Sequence, residues 1–174
     1  KNFYNFLNKN SKKILNLSSP FIEKSIYESC KIKKDFVQRD ENEKGLRKIL
    51  NFGHTFAHAY EASLNYSKKL NHGEAVLLGM YTALNFSYKN KFLKKEDYQS
   101  VIDHIKNSKL PFNLKEYFSK KYLNKILSYM TKDKKNNSQK INLILLKKIG
   151  NPILGKEFQK NKLKFFLKKE LINK

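Results

Sequence analysis

Residues 51–61 read NFGHTFAHAYE, and residues 71–80 read NHGEAVLLGM. Together the two segments contain three of the four histidines in a chain of 174 residues. Apolar side chains such as Phe56, Ala57 and Tyr60 surround the histidines of the first segment. A helix that is apolar on nearly every side belongs in the interior of a protein. The first segment therefore predicts a buried helix that carries polar side chains into the core.

A polar stripe runs along this predicted helix, which we expect to begin at Gly45. At about 100° per residue, four side chains fall within roughly 60° of one another: Arg47, Asn51, His54 and His58. Glu61 lies at the edge of the same face, and Gly53 leaves room for a backbone or a ligand to come close. Buried polar groups cost roughly a few kcal/mol each unless they are paired. The stripe therefore suits the lining of a site better than the filling of a core.

The spacing of the histidines is compatible with a metal site. Two histidines four positions apart, such as His54 and His58, can bind one ion from one face of a helix. His72 adds a third imidazole from the start of the next helix. The alternative is an internal hydrogen-bond network without metal, and the added Asn51 and Arg47 favour a site. The residues alone predict a metal-and-anion site whose reaction stays open.

Composition indicates one folded domain. Hydrophobic residues make up 40% and aromatic residues 13% of the chain, which excludes wholesale disorder. No apolar run approaches the roughly 18 residues of a membrane span, so we predict no membrane partner. The single cysteine, Cys30, argues against a disulfide framework and fits a reducing cytoplasm. Because it lies on an apolar helical face, we expect a buried core thiol.

The formal net charge of +22 raises the question of nucleic-acid binding. The lysines are spread along the whole chain, and the arginines are only Arg39 and Arg47. Arginine is the side chain that best reads guanine edges and phosphates. We therefore predict no nucleic-acid partner, and a small anionic substrate would experience the same positive field.

The remaining periodicity is mostly helical. Helices are predicted over residues 3–17, from Pro20 to Val37, over 94–108, over 121–130 and over 161–171, with a capping box at Asn71 and Glu74. Within the second helix, an apolar stripe is predicted to be buried: Ile22, Ile26, Cys30 and Val37. Lys33 falls inside this stripe, either as a lysine at the edge of the core or as a cation aimed into a cleft. The one clear strand is residues 141–146, so the fold class is mainly α with at most a small β hairpin.

Two stretches together resemble the 3-dehydroquinate synthase family. GLRKILNFGHTFAHAYEASL (45–64) followed by HGEAVLLGM (72–80) is similar to the family pattern LR-x-x-L-N-x-GH-[TS]-x-x-HA-x-E and HGE-x-V-x-x-GM. Upstream, KIKKDFVQRDENEKGLR (31–47) resembles the lysine-bearing helix and acidic turn of the family. Downstream, the resemblance includes MTKDKK (130–135) and INLILL (141–146).

The resemblance implies an architecture. Residues 1–174 correspond to the multi-helical C-terminal domain, and an N-terminal NAD-binding α/β domain is expected outside this chain. The family uses NAD and a divalent metal, usually zinc, with cobalt as the alternative. A cytoplasmic enzyme that is a homodimer when complete is implied, with the active site between the two domains.

The resemblance also implies roles for individual residues. His54 and His72 would be metal ligands, with a glutamate expected upstream of residue 1 as the third. His58 becomes an acid/base group rather than a ligand, and Glu43 matches a proton-accepting carboxylate. The substrate-binding positions of the family correspond to Lys33, Arg47 and Asn51, and to Lys134 and Lys135 of the DKK motif.

The implied activity is that of a phosphorus–oxygen lyase of the shikimate pathway, which makes aromatic amino acids. The substrate would be 3-deoxy-D-arabino-heptulosonate 7-phosphate, a small anionic sugar phosphate, and the products 3-dehydroquinate and phosphate. Transient oxidation by NAD, phosphate elimination, reduction, ring opening and an aldol closure would share one site. The isolated chain is expected to be inactive.

Three alternatives remain at this point. Related sugar-phosphate cyclases share both histidine segments, although the intact DKK motif favours dehydroquinate synthase. Alcohol dehydrogenases of the glycerol dehydrogenase type share the architecture, but they are not expected to carry LR-x-x-L-N before the histidine. The third is a non-catalytic basic binding module that retains the fold.

Two geometric expectations follow from these assignments. The rings of His54 and His72 should face one another across adjacent helices, within reach of one ion. Lys33, Arg47 and one of the two lysines 134 and 135 should converge on a single cleft.

Overall fold

The structure is a computed structural model and describes residues 2–110, 112–132 and 140–172. The helices are α1 (Asn2–Leu15), α2 (Phe21–Arg39), α3 (His54–Ser63), α4 (His72–Lys89), α5 (Lys95–Asn107), α6 (Leu123–Lys132) and α7 (Lys160–Ile172). Short 3-10 helices cover Leu46–Asn51, Leu114–Glu116 and Lys120–Tyr122. The prediction of a mainly α fold is confirmed, and none of these helices is long and apolar enough to cross a membrane.

One antiparallel hairpin joins α6 to α7. It consists of β1 (Lys140–Lys148) and β2 (Asn151–Gln159). β1 follows the predicted strand, and its alternate residues Ile141, Leu143 and Leu145 are buried. β2 is mostly exposed and contains a proline and a glycine, so its sequence lacks the apolar alternation by which β1 could be predicted. The small hairpin that the sequence allowed is thus present.

α3 and α4 pack against each other in the core. The side chains of Phe56, Tyr60, Leu78 and Phe86 are completely buried. α7 and the hairpin cover this pair, and the ring of Phe86 makes edge-to-face contacts with one ring from β2 and one from α7, each at a centroid distance of 4.9 Å. Burial of α3 is what its apolar surface requires, and the first segment of the sequence is confirmed as a core helix from His54 onward.

The prediction of one long helix beginning at Gly45 is wrong. The chain forms a 3-10 helix over Leu46–Asn51, turns at Gly53 with φ of +85°, and only then begins α3. A Cβ on Gly53 would lie 2.4 Å from the backbone nitrogen of Met80. The glycine is therefore required by a close approach to α4 and by a left-handed conformation.

The predicted buried stripe on α2 is also wrong. The side chain of Ile26 is 57% exposed, Cys30 is exposed, and within α2 only Ser25 is buried. The reason is that α2 packs mainly against α1 and the 3-10 helix Leu46–Asn51, outside the main core. Helical periodicity identified an apolar face correctly but could not show what, if anything, covers it.

Candidate functional site

His54 is the first residue of α3. Its Nδ1 is buried and makes no hydrogen bond of good geometry within the part of the chain that the structure describes. Burial lowers the pKa of the His54 ring, and the nearby His58 and His72 act in the same direction. A weak hydrogen bond with the backbone of Phe52 and the charge of Glu61 oppose this shift only in part. The ring is therefore neutral near pH 7, the form in which an imidazole binds a metal.

His72 is the first residue of α4. The start of this helix is fixed by the predicted capping box, in which the backbone N–H of Asn71 donates to Oε2 of Glu74 at 2.9 Å. The His72 ring extends outward, and its Nδ1 lies 3.0 Å from Oε1 of Glu61 on α3. Two helices that pack in the core thus bring a histidine from each to one surface.

The three histidines of the two segments form one cluster. The ring centroids of His54 and His58 are 5.5 Å apart, and those of His54 and His72 are 6.3 Å apart. Two imidazoles that bind one ion through bonds of about 2.1 Å have ring centroids about 5.3 Å apart in tetrahedral geometry and at most about 6.5 Å apart. The rings of His54 and His72 are therefore neighbours, as expected, and the binding of one ion by both stays a prediction.

Two adjoining cavities surround the cluster. The first, of about 540 Å³, is lined by Glu43, Asn51, His54 and residues of the hairpin. The second, of about 560 Å³, is lined by Glu61, Tyr66 and His72. The two cavities share three lining residues: Thr55, His58 and Met130. Each volume is within the roughly 300–1,000 Å³ range of small-molecule sites.

A carboxylate–amide pair lies in the first cavity. Nδ2 of Asn51 donates to Oε1 of Glu43 at 2.6 Å. Glu43 occupies a turn, with φ of +53°, that is tied together by Asp40. The Asp40 carboxylate accepts the backbone N–H groups of Lys44, Gly45 and Arg47 at 2.8–2.9 Å, and these bonds, that of Arg47 first, lower its pKa. The turn thus presents Glu43 beside the histidines.

Of the predicted cations, neither Arg47 nor Lys33 joins this cluster. Nη1 of Arg47 donates to the backbone oxygen of Glu41 at 2.8 Å, and Lys33 is exposed on α2. Neither residue lines the two cavities. Lys134 and Lys135 lie outside the described residues, so convergence of the cations on one cleft stays a prediction. The structure brings together five of the predicted site residues: Glu43, Asn51, His54, His58 and His72.

The cluster fits two ligands of a metal site. The buried Nδ1 of His54 makes no hydrogen bond of good geometry, whereas an interior hydrogen-bond network should have satisfied it. The neutral ring and its distance from His72 are compatible with a shared ion. Among the residues that the structure describes, no group of three or more His, Cys, Asp or Glu side chains is arranged to hold a metal. A third ligand is therefore not identified there.

Glu61 is a residue of this site to which the sequence assigned no role. Its position three residues after His58, at the edge of the polar face, was the signal that it could reach the same surface. Its contact with His72 depends on how α3 and α4 pack, and periodicity carries no information on that. The same holds for Tyr66 and Met130, which reach the second cavity from a loop and from α6.

Comparisons with known proteins identify relatives along nearly the whole chain. A family model described as 3-dehydroquinate synthase C-terminal matches residues 1–136. The 3-dehydroquinate synthase of Pelagibacter ubique (strain HTCC1062) is 56% identical over 171 residues, covering 98% of this chain and 46% of the relative. The enzyme of the same name from Alkaliphilus metalliredigens (strain QYMF) is 38% identical over 149 residues, covering 86% and 40%. The chain thus spans about half the length of the curated relatives it matches.

Two solved structures share the fold. ValA, the 2-epi-5-epi-valiolone synthase of Streptomyces hygroscopicus subsp. jinggangensis 5008 with bound NAD+ and Zn2+, has a TM-score of 0.80 at 16% identity, covering 97% of this chain and 46% of that one. A 2-deoxy-scyllo-inosose synthase in complex with carbaglucose-6-phosphate, NAD+ and Co2+ has a TM-score of 0.61 at 22% identity, with coverage of 73% and 36%. At such identities the likeness extends to the fold alone.

Proposed function

The chain belongs to the 3-dehydroquinate synthase family, and on that premise we propose that it is the metal-binding helical domain of a 3-dehydroquinate synthase. The reaction proposed is the conversion of 3-deoxy-D-arabino-heptulosonate 7-phosphate to 3-dehydroquinate and phosphate, in the biosynthesis of aromatic amino acids. The observation that carries this proposal is the convergence of His54, His58, His72 and the Glu43–Asn51 pair around two adjoining cavities.

The histidines divide into two roles in this proposal. His54 and His72 would hold a divalent ion, zinc or cobalt, which when bound would polarise a substrate hydroxyl and lower its pKa. His58 is exposed and lines both cavities, so it can exchange protons with a bound substrate. The proposal thus gives different roles to His54 and His58, which are neighbours on α3.

The polar residues of the first cavity would orient the substrate. Oε1 of Glu43 already accepts a hydrogen bond from Asn51, which fixes the carboxylate in place as a proton acceptor. Lys33, Arg47, Lys134 and Lys135 would bind the carboxylate and phosphate of the substrate by charge-assisted hydrogen bonds. For Arg47 this requires its guanidinium to leave the backbone oxygen of Glu41.

A second domain completes the proposal. The 174 residues include only six glycines and no G-x-G-x-x-G loop, so NAD would be held by an N-terminal α/β domain. That domain would also supply the third metal ligand, a glutamate. We use "complete enzyme" for one polypeptide in which this chain is joined to such a domain, and we propose that it is a cytoplasmic homodimer.

The decisive test is phosphate release from the seven-carbon sugar phosphate in the presence of NAD and zinc. A hybrid in which this chain replaces the matching segment of the Pelagibacter ubique relative should release phosphate, whereas the 174-residue chain alone should not. A folded, metal-loaded hybrid without phosphate release would contradict the proposed reaction. Turnover by the chain alone would instead contradict the division of the site between two domains.

The two histidine roles predict different losses in the complete enzyme. His54→Ala should lose bound metal, because a ligand is removed. His58→Ala should retain metal and lose turnover, by about 10²–10⁴-fold for a general acid or base. Metal content by atomic absorption, measured beside turnover, separates the two variants. Equal loss of metal in both would make His58 a ligand and the assignment wrong.

A further inference from the structure

We propose that Glu61 is a positioning residue that holds the His72 ring in the orientation and tautomer needed to bind metal. The inference rests on the proposed function, because it takes His72 as a metal ligand. Two observations support it. Nδ1 of His72 lies 3.0 Å from Oε1 of Glu61, and the His72 side chain is far more exposed to solvent than that of Glu61.

The contact fixes which nitrogen of His72 is free. An ionised carboxylate only accepts hydrogen bonds, so Nδ1 of His72 carries the proton and donates to Glu61. In the neutral ring the lone pair is then on Nε2. A metal-binding histidine commonly donates its other ring N–H to a carboxylate, which sets its tautomer and orientation. The His72–Glu61 pair has this arrangement.

The two side chains differ sharply in exposure. That of His72 is 64% exposed at the first residue of α4, whereas that of Glu61 is 12% exposed. The neighbours of Glu61 along α3, Tyr60 and Ala62, are both buried. A carboxylate on a helix anchored in the core can therefore restrain a ring that solvent would otherwise leave free to rotate.

Glu61 also lies on the surface that carries the histidine cluster. It lines the same cavity as His58 and His72, and the His72 ring lies next to the ring of His54. A largely buried carboxylate at this place adds negative charge beside the imidazoles, which favours a divalent cation in the same cavity. The expected benefit is tighter metal binding, with Glu61 itself outside the ligand set.

The experiment measures the metal affinity of the complete enzyme by zinc competition with a chelator and records the visible spectrum of its cobalt form. Glu61→Ala should weaken metal binding by about 10–100-fold. Glu61→Gln, which keeps an acceptor oxygen, should weaken it less. The cobalt spectrum at saturating metal should keep the band intensity of the wild-type coordination number in both variants, because no ligand is removed.

Glu170 offers a matched control. Its side chain is 13% exposed, close to the value for Glu61, and its carboxylate accepts hydrogen bonds from Lys89 and Asn85 of α4. Glu170→Gln therefore removes a comparable, largely buried charge that contacts the same helix away from His72. It should leave metal affinity unchanged even if it lowers stability.

The metal affinities of these variants distinguish a positioning role of Glu61 from a purely structural contact and from a role as metal ligand. Wild-type metal affinity in folded Glu61→Ala and Glu61→Gln would overturn the inference and reduce the contact to a structural one. Complete loss of metal in both, or a cobalt band intensity that shows a changed coordination number, would make Glu61 a ligand and would also overturn it. His72→Ala, measured in parallel, separates the two proposals. If His72→Ala retains wild-type affinity, the metal assignment of the proposed function fails as well. If it loses metal while Glu61→Ala does not, only the positioning role fails.

Discussion

The α3–α4 pair and the α1–α2 pair differ in whether their apolar faces are buried. In α3 and α4 the apolar faces meet each other, the hairpin and other helices, and many of their side chains are completely buried. In α1 no side chain is buried, and in α2 only Ser25 is. Leu15, Leu17, Ile26 and Tyr27 are all more than half exposed.

This difference in burial separates the proposed site residues into two groups. The histidines are placed by the packed pair, and the structure brings their rings together. Lys33 stands on the exposed pair, and it is not brought to the cavities. The core of this chain therefore positions the histidines of the proposed metal site, whereas it does not position Lys33, the residue of α2 proposed to bind the anionic substrate.

The largest expected difference is in the loss of stability caused by alanine substitutions at Leu78 and at Ile26. Leu78→Ala removes a completely buried side chain and should lower the free energy of unfolding by about 2–5 kcal/mol. Ile26→Ala removes a side chain that is 57% exposed and should change it by about 0.5 kcal/mol or less. Urea denaturation of the two variants in the 174-residue chain measures both. A comparable loss in Ile26→Ala would show that something in solution covers α2, and the contrast between the pairs would then be lost.

A second prediction concerns the contact through which α3 and α4 approach. A Cβ on Gly79 would lie 2.3 Å from the backbone oxygen of Gly53, an atom that cannot move aside without shifting α3. Gly79→Ala should therefore cost about 1–3 kcal/mol and should reduce metal affinity in the complete enzyme, because the distance between His54 and His72 depends on this approach.

Gly73→Ala is the control for that prediction. Gly73 is on the same helix, and a Cβ there would meet nothing within 4 Å. Alanine is the better helix former by up to about 1 kcal/mol, so Gly73→Ala should leave stability unchanged or raise it. If the two alanine variants behave alike, the close approach at Gly79 has no energetic consequence and the explanation given for Gly53 is wrong.

The smallest expected effect is a pH dependence at Asp40. Its pKa is lowered in the folded chain by hydrogen bonds from backbone N–H groups. A depressed carboxyl pKa contributes stability above the unfolded-state pKa, near 3.8, and that contribution is lost as pH falls through the folded-state pKa. Asp40→Asn should therefore be less stable than the wild type near neutral pH and should lose less on acidification.

Urea unfolding at neutral and acidic pH measures this change. Asp35→Asn serves as the control, because it removes an equal charge from an exposed ion pair with Arg39. If Asp40→Asn shows the same acid dependence as the wild type, the carboxylate does not hold the turn that presents Glu43.

Much of the fold could be predicted from the sequence. Helical periodicity located α1, α2 and α5 within a few residues, the capping residues Asn71 and Glu74 marked the start of α4, and the alternating Ile141, Leu143 and Leu145 marked β1. These signals are local, because propensity, capping and alternation depend on neighbours along the chain. The break at Gly53 was missed, since a glycine inside an apolar pattern does not reveal whether its φ is positive.

The sequence by itself determined which residue types are available for chemistry: three clustered histidines, Glu43, Asn51 and a family pattern that assigns them roles. Only the tertiary structure decided which of them meet. The 6.3 Å between His54 and His72, the contact of His72 with Glu61 and the outward face of α2 all depend on how separate elements pack. Packing is decided by side-chain volumes and close backbone approaches between distant segments, and a periodic pattern along one helix contains no record of them.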